Sequence, residues 1–163
     1  MFDVAYIRPD NLSEALDFLS AKGTESKILA GGTDIMVDLR SGALSTRHLL
    51  DVSRLDDLKK IEVRDGKLSI GAAVTIAELL ESETIATLAP ALRKAADKFA
   101  SKQIRNVATI GGNVAHCSPC GDTVPPLVIH DAKAILVSKI GKREVPVEQI
   151  ASGPYVCALP SSE

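Results

Sequence analysis

The sequence predicts an α+β protein of two small α/β lobes, and three observations carry that expectation. Through residue 54, short aliphatic runs alternate with stretches whose apolar residues recur at helical spacing, the pattern of a βαβαβ lobe with a parallel sheet. Beyond residue 58 the pattern changes, and Asp65-Gly66 between two short alternating runs reads as the tight turn of an antiparallel hairpin. Two glycine-centred segments, Leu29-Ala30-Gly31-Gly32-Thr33-Asp34-Ile35 and Thr109-Ile110-Gly111-Gly112-Asn113-Val114, each follow aliphatic or β-branched residues, one in each lobe. At 163 residues and 45% hydrophobic, the chain can bury a core as one compact unit or as two small lobes.

In order along the chain, residues 4–7 read as a short strand. Asn11 is a plausible cap for a helix with Leu12, Ala15, Leu16 and Leu19 on one face. Residues 27–30 read as a buried strand running into the first Gly-Gly loop. Asp34 then stands where it can cap a helix carrying Ile35, Met36 and Leu39, which Gly42 can end. Residues 48–52 form another strand. In the second lobe, residues 61–64 and 67–70 make the hairpin, residues 75–80 a short helix, and residues 90–100 a longer one with Leu92, Ala95, Ala96 and Phe99 on one face. Pro90 suits its first turn. A further helix follows Asp122, then strands over 134–137 and 143–147 around a Gly141-Lys142 turn, and the tail from Ser152 reads as loose.

The two glycine segments matter chemically because glycine lets main-chain N–H groups approach an anion with no Cβ in the way, and a helix beginning after such a loop adds its positive end. Neither has the G-x-G-x-x-G spacing of a dinucleotide fingerprint, and neither ends in Gly-Lys-Ser/Thr. A lone Gly-Gly pair reads more simply as a tight turn without a ligand. A pair of such segments, each with a hydroxyl beside it, reads as two jaws for one pyrophosphate.

The run Lys27-Ile28-Leu29-Ala30-Gly31-Gly32-Thr33-Asp34-Ile35 and the longer run from Gln103-Ile104-Arg105-Asn106-Val107-Ala108 into Thr109-Ile110-Gly111-Gly112-Asn113-Val114 resemble the two FAD-binding signatures of the medium subunit of molybdenum-containing hydroxylases, the xanthine dehydrogenase and carbon monoxide dehydrogenase family. The continuation Ser118-Pro119 to Asp122, then Val124-Pro125-Pro126-Leu127, and the opening Ile7-Arg8-Pro9 ahead of a helix are similar as well. The resemblance spans nearly the whole chain in the right order. It implies two α/β subdomains of the vanillyl-alcohol oxidase and CO dehydrogenase flavoprotein type with FAD between them, here residues 1–54 and 55–151. Residues 152–163 resemble the start of a C-terminal subdomain into which family members continue. Either the sequence is a piece of a longer chain or its natural product is short.

The resemblance implies that Gly31, Gly32, Thr33 and Asp34, with Thr109, Gly111, Gly112 and Asn113, offer N–H and hydroxyl donors to the FAD pyrophosphate. Ala30 and Ile35 frame the first loop and Ile110 belongs to the second, while Leu29 and Phe99 are expected as apolar walls near adenine or flavin. Asp122 resembles a family residue that bonds polar groups of FAD, and a hydroxyl or amide suits it better than a phosphate. His116 is expected to hydrogen-bond flavin or ribityl oxygens. The competing structural readings are helix capping for Asp34 and Asp122, helix-face core for Phe99, and local accommodation for His116. Arg105 reads as a solvated edge or a contact to another subunit.

No catalytic acid, base or nucleophile stands out, so the resemblance implies a subunit that binds and tunes a flavin. Electrons from a molybdenum centre on a large subunit would pass through 2Fe–2S centres on a small subunit to FAD, then to NAD or another acceptor. The chain lacks the clustered cysteines of an iron–sulfur protein. Cys117, Cys120 and Cys157 do not suggest a disulfide framework; Cys117-x-x-Cys120 beside His116 leaves open half a metal site, a redox dithiol, or small side chains packed beneath the flavin loop. A net charge of −2 argues against nucleic acid, and no apolar run approaches a membrane span, so a cytoplasmic protein is expected. Two other functions stay open. One is a non-catalytic interaction module with weak or absent FAD binding, and the other is a self-contained flavin oxidase, for which the sequence offers little to build a substrate pocket.

Overall fold

The computed structural model describes residues 4–160. Strands β1 (Ala5–Ile7), β2 (Ser26–Leu29) and β3 (His48–Asp51) form a parallel sheet in the order β1-β3-β2, with Ile28 opposite Leu50 and Ile7 opposite the same residue on the other side. The central β3 is buried from Leu49 to Asp51. β2 is an edge strand with Ile28 44% exposed, which corrects the expectation of a buried strand. Helix α1 (Leu12–Lys22) is capped as expected, the Asn11 side chain accepting the Glu14 N–H at 3.0 Å. Its Ala15 and Leu19 pack with Leu50 and Leu55 into the first core cluster, joined by Ile7, Phe18 and Leu58. Helix α2 (Ile35–Ser41) follows the first Gly-Gly loop.

The second core is larger. Hairpin β4 (Ile61–Arg64) and β5 (Lys67–Ile70) turns through Asp65 and Gly66, both at positive φ as a primed two-residue turn requires. Helices α3 (Ile76–Glu81), α4 (Glu83–Leu88) and α5 (Pro90–Lys98) then supply Ile76, Leu79, Ile85, Leu92 and Ala96 to one cluster with Val74, Phe99, Ala108 and Ile110. α3 begins at a capping box in which Thr75 and Glu78 satisfy each other's backbone N–H. A short helix α6 (Lys102–Arg105) was not foreseen, nor was α4. Arg105 is not a solvated edge: its guanidinium donates to the carbonyls of Phe99 and Ala100 at 2.8 and 3.0 Å, satisfying the end of α5.

Helix α7 (Ile110–Ala115) contains both glycines of the second signature, and α8 (Val124–Ile129) follows. Hairpin β6 (Lys133–Ser138) and β7 (Gly141–Pro146) turns at Lys139-Ile140, two residues before the expected turn. Lys139 reaches back to Asp17 on α1 at 2.7 Å, joining this hairpin to the first lobe. The segment from Ser152, expected to be loose, pairs as β8 (Ala151–Gly153) and β9 (Val156–Cys157). The Tyr155 N–H donates to the Cys117 carbonyl at 2.8 Å, and the Ala158 N–H to that of Ile150 at 2.8 Å, tying the hairpin down. Residues 161–163 of the expected C-terminal stretch lie outside the described residues. Among the described residues no helix is long and apolar enough to cross a membrane.

Candidate cofactor site

The first glycine loop leaves the carboxyl end of β2, where a parallel sheet presents its connections to ligands. Gly32 has φ +72°, a conformation that costs a residue with a Cβ about 1–2 kcal/mol. Among the described residues no acceptor engages the N–H groups of Gly31, Gly32, Thr33 or Asp34. Four successive amides without a protein acceptor, with Leu29 and Ala30 half-buried before them and Ile35 half-buried after them, are the kind of backbone donor row that can bind an anion. Asp34 holds the cap position of α2, yet its side chain makes no capping bond; it accepts the Thr33 hydroxyl at 3.0 Å.

The second signature is built differently. Its Gly-Gly pair is the first turn of α7 rather than an open loop, and the amides of Ile110, Gly111, Gly112 and Asn113 already have partners within the protein. The Ile110 N–H donates to Val74 O at 3.0 Å, Gly111 to Ala72 O at 2.9 Å, Gly112 to the Thr109 hydroxyl at 3.1 Å, and Asn113 to Thr109 O at 3.0 Å. The expectation set Thr109, Gly111, Gly112 and Asn113 together as donors; of their N–H groups, those of Gly111, Gly112 and Asn113 have partners in the protein. The Ile110 side chain is buried in the second core, 6% exposed, so it frames no cleft. The Asn113 Oδ1 accepts the hydroxyl of fully buried Thr123 at 2.6 Å and the Thr123 N–H at 3.2 Å, fastening α7 to the start of α8.

The two signatures touch. A Cβ on Gly31 would lie 2.1 Å from the Val107 carbonyl oxygen and 2.9 Å from Ala108 Cα, so only glycine lets the first loop lie against the backbone leading into α7. Nearby, His116 Nδ1 is 3.9 Å from Asp34 Oδ1, and the imidazole meets the Tyr155 ring edge-on with centroids 5.2 Å apart. Ala72, Thr123 and Tyr155 were missed by sequence reasoning, and Val107 stood in the second signature run without a role; the small residues Gly71-Ala72-Ala73, which suit close backbone approach, were a signal for Ala72.

Of the other expected site residues, Phe99 is 9% exposed within the second core and its ring is spent on packing, as the helix-face alternative has it. Asp122 is exposed on the turn before α8, whose cap position is Thr123, so it does not cap. Among the described residues no group of three or more His, Cys, Asp or Glu is placed to hold a metal ion; Cys117 is buried and Cys120 exposed. Burial first, and then the neighbouring Cys157 thiol, push the Cys117 thiol up to about 11. Beside the first loop, Asp51 faces Leu29 across the sheet and accepts the Tyr6 hydroxyl and, at 2.9 Å, the Ser53 N–H. Burial pushes its carboxyl up, but those bonds and the charge of Arg8 outweigh it and leave the pKa below the usual value.

Residues 2–163 match the family described as the FAD binding domain in molybdopterin dehydrogenase. The chain belongs to that family. This FAD-binding domain is 39% identical over 165 residues to the xanthine dehydrogenase FAD-binding subunit of Escherichia coli O157:H7, covering 100% of the chain and 56% of the relative. It is 30% identical over 158 residues to the carbon monoxide dehydrogenase medium chain of Hydrogenophaga pseudoflava, covering 97% and 55%. Reconstituted CO dehydrogenase from Oligotropha carboxidovorans superimposes with a TM-score of 0.93 at 28% identity, covering 98% of this chain and 56% of that one. The chain thus spans about half the length of the relatives it matches. The α+β fold class holds, and FAD is the cofactor.

Proposed function

We propose that the chain is the FAD-binding electron-transfer part of a molybdenum-containing hydroxylase or dehydrogenase, acting as an oxidoreductase subunit in the cytoplasm. The observation that carries the reading is the row of free amides over Gly31, Gly32, Thr33 and Asp34, packed through Gly31 onto the second signature. Such a row fits a pyrophosphate, which needs several donors converging without intervening side chains. When bound, FAD would supply the redox chemistry that links 2Fe–2S centres on a partner subunit to NAD or another acceptor, and Gly31, Gly32, Thr33 and Asp34 would hold its pyrophosphate.

This chain's residues bind and orient. The first loop holds the pyrophosphate; Thr33 offers a hydroxyl beside it, and Leu29, Ala30 and Ile35 line the approach. The second signature acts as the wall against which the first loop is set, with the Thr109 cap and the Asn113–Thr123 bond keeping α7 in place. His116 and Asp122 remain our candidates for ribityl or flavin contacts. The subdomains proposed to flank the cofactor are residues 1–54 and 55–151, with a molybdopterin-binding large subunit and a 2Fe–2S small subunit as partners.

Co-purification with those two subunits as a yellow complex, and reduction of its flavin when the molybdenum substrate is added, is the expected result. A colourless protein that takes up no FAD at saturating concentration, yet still captures both partners, would instead make it a non-catalytic interaction module.

A further inference from the structure

Cys117 and Cys157 are forty positions apart in sequence, yet both are set around one carbonyl group. The Cys117 sulfur lies 3.9 Å from the Ile150 oxygen, and the residue after Cys157 donates its N–H to that same oxygen at 2.8 Å. Cys157 is paired with Ala151 across the β8–β9 hairpin, and Tyr155 at its turn is bonded to the Cys117 carbonyl, so the hairpin is held over Cys117 from both ends. The Cys157 thiol stands near enough to the Cys117 thiol to add to the effect of burial in pushing its pKa up. Cys120, the partner the C-x-x-C spacing suggests, is exposed, and its own N–H is turned to the Ser118 hydroxyl at 3.2 Å.

The chemistry of the pair is asymmetric. Cys117 is buried and held as a thiol, whereas Cys157 is exposed and open to small oxidants. We propose that Cys117 and Cys157 form a reversible redox pair, closed to a disulfide by hydrogen peroxide, that fastens the β8–β9 hairpin to the turn after the second signature. The Cys157 thiolate attacks the peroxide O–O bond, which breaks to leave Cys157 sulfenic acid and one water. The Cys117 sulfur then attacks the sulfenic sulfur; the S–S bond forms, the S–O bond breaks, and the hydroxide leaves with the thiol proton as a second water. Two thiols lose two electrons and two protons, and one peroxide takes them up. Closure fixes Tyr155 against His116, which itself stands 3.9 Å from Asp34 on the first loop, so the oxidation state of the pair bears on the junction of the two signatures. The inference concerns the thiols alone and does not depend on FAD being bound.

The test is oxidation of the full-length protein with equimolar hydrogen peroxide, followed by alkylation and non-reducing peptide mapping. The expected result is a cross-linked peptide holding Cys117 and Cys157, a fall from three alkylatable thiols to one at Cys120, and full reversal by dithiothreitol. Cys120→Ser should form the same cross-link, and hydrogen exchange at the Tyr155 amide should slow on oxidation. In Cys157→Ser, Cys117 should stay reduced. A Cys117–Cys120 cross-link, or sulfinic acid at Cys157 with Cys117 still free in both the natural protein and Cys120→Ser, would overturn the proposal.

Discussion

Gly31 and Gly32 are neighbours with different reasons to be glycine. A Cβ on Gly31 meets rigid backbone at 2.1 Å, so Gly31→Ala must push the first loop off Val107. We expect it to cost about 1–3 kcal/mol of stability by denaturant titration and to weaken FAD binding. At Gly32 the nearest atom is the end of the Leu29 side chain at 3.2 Å, which can move, and the cost there is the left-handed backbone. Gly32→Ala should lose about 1–2 kcal/mol and leave the packing against the second signature intact. Cys117 makes a pH prediction. Its thiol titrates higher in the folded protein than the ordinary 9.0, so the stability tied to the neutral thiol is complete below pH 9 and is lost as pH rises through about 11. Thermal melts across that range should show the fall, and Cys117→Ser should flatten it.

At the level of elements, the second signature is a capped and fastened helix. Thr109→Ala removes the side-chain acceptor for Gly112 and should cost about 1 kcal/mol. Asn113→Ala leaves the fully buried Thr123 hydroxyl without its acceptor and should cost about 1–3 kcal/mol, measured by the same titration. Elements with local signals were legible in the sequence. Asn11, Thr75 and the Asp65-Gly66 turn each act on residues two to four positions away, and they form what their chemistry dictates. Where partners are distant the reading failed. Glycine pairs are poor helix formers, so Gly111-Gly112 read as a loop; its helical start is imposed by Ala72 and Val74, which take its first N–H groups from across the fold. The exposure of β2 likewise depends on β3 inserting between β1 and β2, an order no local pattern encodes. The Gly141-Lys142 turn was misplaced because glycine drew the assignment two residues past Lys139-Ile140.

Among the described residues two hydrophobic clusters form, and the two signatures meet between the lobes that hold them, a meeting that was only half legible. The motif pair gave the family and the cofactor, since both depend on residue types and spacing. The division of labour between them was not readable, because it depends on which amides are already satisfied, and the satisfying carbonyls lie more than thirty residues from Ile110 and Gly111. We propose that the two apparently equivalent phosphate jaws act as one donor loop and one supporting helix, because the amides of Gly31 to Asp34 lack protein acceptors and those of Ile110 to Asn113 have them. Exchange of donors in that way predicts an uneven response to the pyrophosphate half of the cofactor. The direct measurement is backbone amide chemical shifts of the isotopically labelled full-length protein on titration with ADP. The amides of Gly31, Gly32, Thr33 and Asp34 should shift strongly and gain protection from exchange, while those of Ile110 and Gly111 stay in place. Strong shifts at Ile110 and Gly111 with the first loop unmoved would contradict the account.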